Sequence, residues 1–115
     1  MSQKKGKEGE EISAIYLKDN GYKIITKNFY SYFGEIDIIA KLNQTLIFFE
    51  VKHYKKNSLI HPLYYINKKK QKNIIQTAKF YLLKNNIQNT CCQFDVIIIQ
   101  DKKVTAHIKD SFQVS

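Results

Sequence analysis

Two carboxylates interrupt strongly apolar runs. Asp37 lies in Gly34-Glu35-Ile36-Asp37-Ile38-Ile39-Ala40, and Glu50 lies in Leu46-Ile47-Phe48-Phe49-Glu50-Val51-Lys52. A carboxylate among isoleucines is costly unless it is paired or holds a metal ion. Side chains alternate between the faces of a strand, so Glu35, Asp37 and Ile39 are expected on one face and Ile36 and Ile38 on the other. Phe48, Glu50 and Lys52 likewise share a face, with Ile47, Phe49 and Val51 opposite. A short hairpin between these strands would bring Asp37 and Glu50 together, with Lys52 about 7 Å further along.

Two carboxylates and a lysine on rigid strands suit metal-assisted phosphodiester hydrolysis. Asp37 and Glu50 are the expected ligands for Mg²⁺ or Mn²⁺, which take oxygen donors and keep positions for water and phosphate. Such an ion polarises the phosphoryl group and acidifies water. The Lys52 ammonium would orient that water or balance charge on the phosphate. Glu10 lines up with Ser13 and Leu17 at helical spacing, on a face of small or apolar residues expected to pack against the sheet, and is the candidate third acid. The plainer alternative is a surface ion pair between Lys52 and Asp37 or Glu50, worth little. Glu35 shares the face of Asp37 and reads as a turn-holding acid beside Gly34, with metal ligation as the alternative.

These residues need elements to position them. A helix is expected from about Glu8 to Asp19, with Ile12, Ile15 and Tyr16 as its apolar stripe and Gly21 as its stop. Residues 1–7 read as a loose basic arm. Strands are expected at about Tyr22–Tyr30, Glu35–Lys41 and Thr45–His53, with Asn43-Gln44 as a tight turn. Residues 54–65 read as irregular. A second helix follows at about Asn67–Asn85, striped by Ile74, Ile75, Ala78, Tyr81 and Leu82. Strands at Gln93–Gln100 and Val104–Ile108 flank an Asp101-Lys102 turn. The order α-β-β-β-α-β-β predicts a single α/β domain, a mixed sheet flanked by helices.

The chain has 115 residues, 43% of them hydrophobic and 25% charged, which suits one folded domain and argues against disorder. All 19 basic residues are lysine, against 10 acids, for a net charge of +9. Codon drift accounts for lysine in place of arginine but not for the excess, which favours a polyanionic partner. Lys68, Lys69, Lys70 and Lys72 crowd the start of the second helix, where they oppose the helix dipole, and are the candidate nucleic-acid patch; a solvated face is the alternative. Tyr30, Tyr32, Phe33, Tyr64 and Tyr65 read first as packing residues, with base stacking as the alternative. Asp95 reads as structural. Cys91 and Cys92 have no zinc spacing and read as ordinary residues at a strand entrance. No apolar run reaches the roughly 18 residues of a membrane helix, and the first residues lack a signal-peptide core, so no membrane association and a cytoplasmic location are expected.

The chain resembles the bacterial YraN-like family, within the restriction-endonuclease-like PD-(D/E)xK superfamily. The matching pieces are Gly9-Glu10, Tyr16-Leu17, Gly21-Tyr22, Asn28, Gly34 through Ala40, Phe49-Glu50-Val51-Lys52, Lys70, Ala78, Tyr81-Leu82, Phe94-Asp95-Val96 and Phe112. It is also similar to archaeal Holliday-junction resolvases. The resemblance implies a restriction-endonuclease-like core and a metal-dependent nuclease architecture. It assigns roles to Glu10, Asp37, Glu50 and Lys52, with the Val51 main-chain carbonyl as a further metal ligand. Tyr54, Phe29 and Gln93 stand where the family pattern carries arginine, which bears on phosphate clamping.

The leading expectation is therefore a Mg²⁺- or Mn²⁺-dependent endonuclease acting on DNA, including branched or repair intermediates. A homodimer is expected where two strands must be cut. The rivals are a non-cutting nucleic-acid-binding module on the same scaffold and a protein–protein adaptor. Steep salt dependence of DNA binding would separate the first two from the third.

Overall fold

The computed structural model describes residues 2–55 and 66–114, with side chains from Lys7 onward. The expected irregular stretch at 54–65 lies almost wholly outside the described residues. Helix α1 spans Ser2–Asp19. Strands β1 (Lys23–Ser31), β2 (Gly34–Leu42) and β3 (Thr45–Tyr54) follow. Helix α2 spans Lys68–Lys84, before β4 (Cys91–Gln100) and β5 (Lys103–Phe112). The element order is the expected one. The helix α1 extends through the segment that reads as a loose arm, whose lysines and glutamine are good helix formers.

The five strands form one sheet in the order β1-β2-β3-β4-β5. All neighbours are antiparallel except β3 and β4, which run parallel from Thr45↔Cys91 to Tyr54↔Gln100 with α2 as their crossover. The sheet is therefore mixed, and each face carries one helix. On one face Leu17, Ile12 and Tyr16 of α1 cover Ile38, Ala40, Ile47, Phe49, Ile97 and Ile99. On the other, Ile74, Ala78 and Tyr81 of α2 cover Ile39, Phe48, Phe94, Val96 and Ile98. Burial on both faces explains why β4 reads as a continuous apolar run. No helix among the described residues is long and apolar enough to cross a membrane.

Local chemistry sets the ends. Asn67 caps α2 by accepting from the Lys70 N–H at 2.8 Å. Asp101 and Lys102 both take positive φ (56° and 60°), the signature of a tight two-residue hairpin, and close the β4–β5 turn. The strand β5 continues to Phe112 rather than ending near Ile108. Register shifts along β4 and a left-handed Asp110 let it bend past the polar Lys109-Asp110-Ser111, where alternation fails in the sequence.

One reading of side-chain direction holds and two change. The expected Glu10-Ser13-Leu17 face of α1 packs on the sheet, joined by Ala14, whereas Ile15 of the expected apolar stripe is exposed. Ile12 and Tyr16 of that stripe are half-buried against the same core. Small residues stand on the packed face because this helix must approach the strands closely. Gly9 shows how closely: a Cβ there would already touch Val51 and His53 of β3 at 3.4 Å. In β2, Ile36 packs with Ile39 on the α2 side, whereas Ile38 packs on the α1 side. Simple alternation, which puts Ile36 with Ile38, is thus broken at Asp37. The matching irregularity in β1 is Asn28, held left-handed at φ 57° between the pairs Lys27↔Ile38 and Phe29↔Ile36. The two strands shift their pleat together at this point.

A carboxylate cluster at the strand fork

The β2–β3 ladder runs from Leu42↔Thr45 to Ile38↔Phe49 and stops there. The next pair in register would be Asp37 and Glu50. Instead the Asp37 Oδ2 accepts the Val51 N–H at 2.7 Å, so a side chain takes over where backbone pairing ends. The strand β3 goes on beside β4, and the sheet forks between β2 and β3.

Three carboxylates converge at the fork. Oxygens of Glu10 from α1 and of Glu35 and Asp37 from β2 all lie within 4.8 Å of one another. Glu10 is buried, and burial pushes its carboxyl above the usual range, as does the charge of Glu35. A hydrogen bond from the Asn28 side chain opposes that shift, so the left-handed kink in β1 also serves Glu10. Asp37 is pushed up to about 7, first by burial and then by the Glu50 charge, with smaller contributions from Glu10 and Glu35. The Val51 N–H bond pulls the other way. Clustered carboxylates with this much mutual repulsion favour either a proton or a cation between them.

Glu50 stands next to this cluster but faces other partners. Its Oε2 lies 3.1 Å from the Lys52 Nζ and 3.6 Å from the Lys70 Nζ. The Glu50 side chain is only 8% exposed, so this is a buried anion balanced by two lysines rather than a solvated surface pair. Glu10, Asp37, Glu50 and Lys52 therefore meet in one region. The three carboxylates that come within 4.8 Å of one another, however, are Glu10, Glu35 and Asp37. That places Glu35 where its shared face with Asp37 and the metal-ligation alternative put it, rather than as a turn-holding acid alone.

The expected lysine patch divides. Lys70, Asn73 and Thr77 recur at i, i+3 and i+7 along one face of α2, where Lys70 meets Glu50. Lys68 and Lys72 face a different direction. With Lys79 they line a groove of about 550 Å³ between α2 and the end of β5, where Phe112 and Val114 form the opposite wall. Lys69 is exposed.

A second polar network joins α1, β4 and β5. The Asp95 side chain is fully buried, with Oδ2 2.8 Å from the His107 Nε2. Its Oδ1 accepts from the Asp110 N–H and from the Gln93 Nε2, both at 2.9 Å. The His107 Nδ1 lies 2.8 Å from the Tyr16 hydroxyl. Each Asp95 oxygen is thus satisfied, as a structural role requires. Gln93, which stands where the family pattern has arginine, supplies one of those bonds. Tyr54 and Phe29, at the other two such positions, pack against the α2-side core. Cys91 and Cys92 are free and exposed at the start of β4.

The sequence profile of the uncharacterised protein family UPF0102 matches residues 9–99, a span that holds Glu10, Glu35, Asp37, Glu50, Lys52 and Lys70. The chain is similar to the UPF0102 protein of Persephonella marina, at 44% identity over 96% of this chain and 94% of the relative. It is 40% identical to the UPF0102 protein of Clostridioides difficile over 96% of this chain and 98% of the relative. A third UPF0102 protein, from Psychromonas ingrahamii, is 41% identical over 97% and 92% of the two chains.

Proposed function

The chain belongs to the uncharacterised protein family UPF0102, and from that premise and the forked sheet we propose that it is a metal-dependent endonuclease acting on DNA. The observation that carries this reading is the meeting of Glu10, Glu35 and Asp37 oxygens within 4.8 Å, beside a buried Glu50. An all-oxygen, multiply anionic donor set fits a hard divalent cation such as Mg²⁺ or Mn²⁺. The raised Asp37 carboxyl fits as well, because a cation would relieve the repulsion that raises it.

Asp37 and Glu10 are the residues that would hold the ion, with Glu35 completing the group. When bound, the ion would polarise a phosphodiester and acidify a water. The protein's own groups would do the rest. The Val51 N–H fixes one Asp37 oxygen and leaves the other directed by that bond. Asn28 orients Glu10. Glu50 holds the Lys52 ammonium at the fork, where a phosphate brought to the carboxylates would meet a cation. The net charge of +9 favours approach of a polyanion from any direction.

The test is cleavage of single-stranded, duplex, flapped and branched DNAs by the purified protein with Mg²⁺ or Mn²⁺, beside Asp37→Asn and Glu10→Gln. Cleavage by the parent alone supports the reading. Variants that cut like the parent would assign the activity to a contaminant. A parent that binds DNA but never cuts would make it a binding module on a nuclease scaffold.

A further inference from the structure

The β1–β2 turn breaks a local rule. Ser31 pairs with Gly34, leaving Tyr32-Phe33 as a two-residue hairpin loop. Such loops favour Asn-Gly or Asp-Gly, because both central residues need positive φ. Neither Tyr32 nor Phe33 takes positive φ, and the reversal falls on Gly34 at φ 153°. Two aromatics therefore occupy the position that turn chemistry gives to small polar residues. Departures of this kind are expected at functional sites.

The turn is also held firmly. The Ser31 Oγ lies 2.9 Å from the Thr77 Oγ1 of α2 and accepts the Phe33 N–H at 3.0 Å. Thr77 is fully buried, and its hydroxyl bonds back to the Asn73 carbonyl. A Cβ on Gly34 would touch Asn73 and Thr77 at 3.7 and 3.8 Å, so the turn rests directly on the helix. Yet Tyr32 is 97% exposed, Tyr30 61% and Phe33 44%. Tyr32 and Phe33 meet edge to face at 5.6 Å, which fixes their relative angle. The tip is thus a rigid mount for rings that contribute little to any core.

Its position gives the rings a purpose. Tyr30 pairs directly with Glu35 across the hairpin, and Glu35 belongs to the carboxylate cluster. The loop lies two or three residues from Glu35, roughly 7 to 10 Å, or about two to three stacked nucleotides. The same face of α2 that anchors the loop through Thr77 presents Lys70 to Glu50. One helix face therefore anchors the aromatic turn at Thr77 and, two turns away, presents a cation at Lys70 to Glu50.

We propose that Tyr32 and Phe33, with Tyr30 behind them, form a stacking platform for an unpaired base next to the phosphate held at the fork, so that the preferred substrate is DNA with a single-stranded segment. The proposal rests on the nuclease reading for the identity of the neighbouring site. Bases in an intact duplex are stacked on one another and offer the rings no face. Unpaired bases at a flap, overhang or branch do, and stacking tolerates any sequence.

The experiment uses two DNAs of equal length, one blunt duplex and one carrying a single-stranded flap with 2-aminopurine in the unpaired part. Binding is measured by anisotropy in EDTA, so that it does not depend on cutting. The parent is expected to prefer the flap and to change the 2-aminopurine emission. Tyr32→Ala with Phe33→Ala should lose roughly 5- to 150-fold affinity for the flap, the range for one or two stacked bases, and little for the duplex. Tyr32→Trp should keep the preference. Equal binding of flap and duplex by the parent overturns the proposal, as does an Ala variant that retains the preference. Circular dichroism confirms folding. Cleavage with Mn²⁺ is then scored separately. A parent that prefers the flap but cuts nothing would sink the nuclease reading and leave the platform standing.

Discussion

The Asp37 carboxylate accepts the Val51 N–H at 2.7 Å at the point where β2 and β3 part. The bond ties one acid to the backbone beside Glu50 and Lys52 and holds it among three other carboxylates. The cost appears in its protonation. The carboxyl rises from 3.8 to about 7, mainly through burial and the Glu50 charge. Between those values the folded protein keeps a proton that the unfolded chain has released. Metal-free stability should therefore fall as pH rises from about 4 through 7 and stay reduced above. Glu10, raised by burial, adds in the same direction. Asp37→Asn should flatten that dependence and stabilise the metal-free protein at pH 8 by about 1–3 kcal/mol. Mn²⁺ should stabilise the parent but not the variant. Urea unfolding across pH, with EDTA or Mn²⁺, reads both; a parent indifferent to Mn²⁺ would count against a metal site.

The two lysines on Glu50 should differ. Lys52 lies closer, at 3.1 Å, and its side chain is 32% exposed, against 3.6 Å and 44% for Lys70. Lys52→Ala should reduce cleavage by at least ~100-fold, the scale for losing electrostatic help in a preorganised site. Lys70→Ala should cost much less cleavage and under about 1 kcal/mol of stability, because the Lys70 ammonium is itself partly solvated and Lys52 still balances Glu50. Initial rates with matched unfolding curves would check the order, and equal losses would remove any special role for Lys52.

Much of this arrangement is legible in the sequence, and the gaps have physical causes. Period-two runs and the Asn43 and Asp101 turns mark the strands, because those patterns are local. The convergence of Asp37, Glu50 and Lys52 follows from parity and hairpin length. Parity fails at Asn28 and Asp37, where a left-handed residue shifts the pleat of both strands; Asn enters that region more readily than most residues, but here it sits inside a strand rather than at a turn, where such a residue is expected. The packed face of α1 is legible in the spacing of Glu10, Ser13 and Leu17, whereas counting apolar residues alone also selects Ile15, which is exposed. Tyr16, Asp95 and His107 meet across 91 residues of sequence, and nothing local announces such a contact.

That distant contact should matter for stability and not for metal. Asp95→Ala would leave His107, Gln93 and the Asp110 N–H without their shared acceptor. The expected loss is about 3–5 kcal/mol, typical of breaking a buried charged hydrogen-bond group. Asp95→Asn keeps the shape and should cost less. The stabilisation conferred by Mn²⁺ should survive in the Asn variant, which separates this network from the carboxylates at the fork.

Ser13 offers the opposite sign. Its hydroxyl is buried without a hydrogen-bond partner among the described residues, one turn from Glu10. Ser13→Ala removes an unsatisfied group and improves helix propensity, so it should raise stability by about 1 kcal/mol. Differential scanning calorimetry would show the shift. A loss of stability would mean that the hydroxyl has a partner, such as a water serving the carboxylates.

The division of the lysine patch gives the last prediction. Lys68 and Lys72 line the groove beside Phe112 and Val114, on a different side of α2 from Lys70. Phosphates lying in that groove would meet two cations that have no part in the fork. Lys68→Gln with Lys72→Gln should therefore weaken DNA binding alike for every sequence. It should also lower the slope of log affinity against log salt by roughly 1.4 to 1.8, the contribution of two phosphate contacts. Metal binding, read by Mn²⁺-dependent stabilisation, should not change. Lys70→Gln should show the reverse emphasis, because it removes a counter-charge beside Glu50 rather than a contact in the groove. An unaltered salt slope in the double variant would make Lys68 and Lys72 solvated charges and move the DNA path to the hairpin side of the helix.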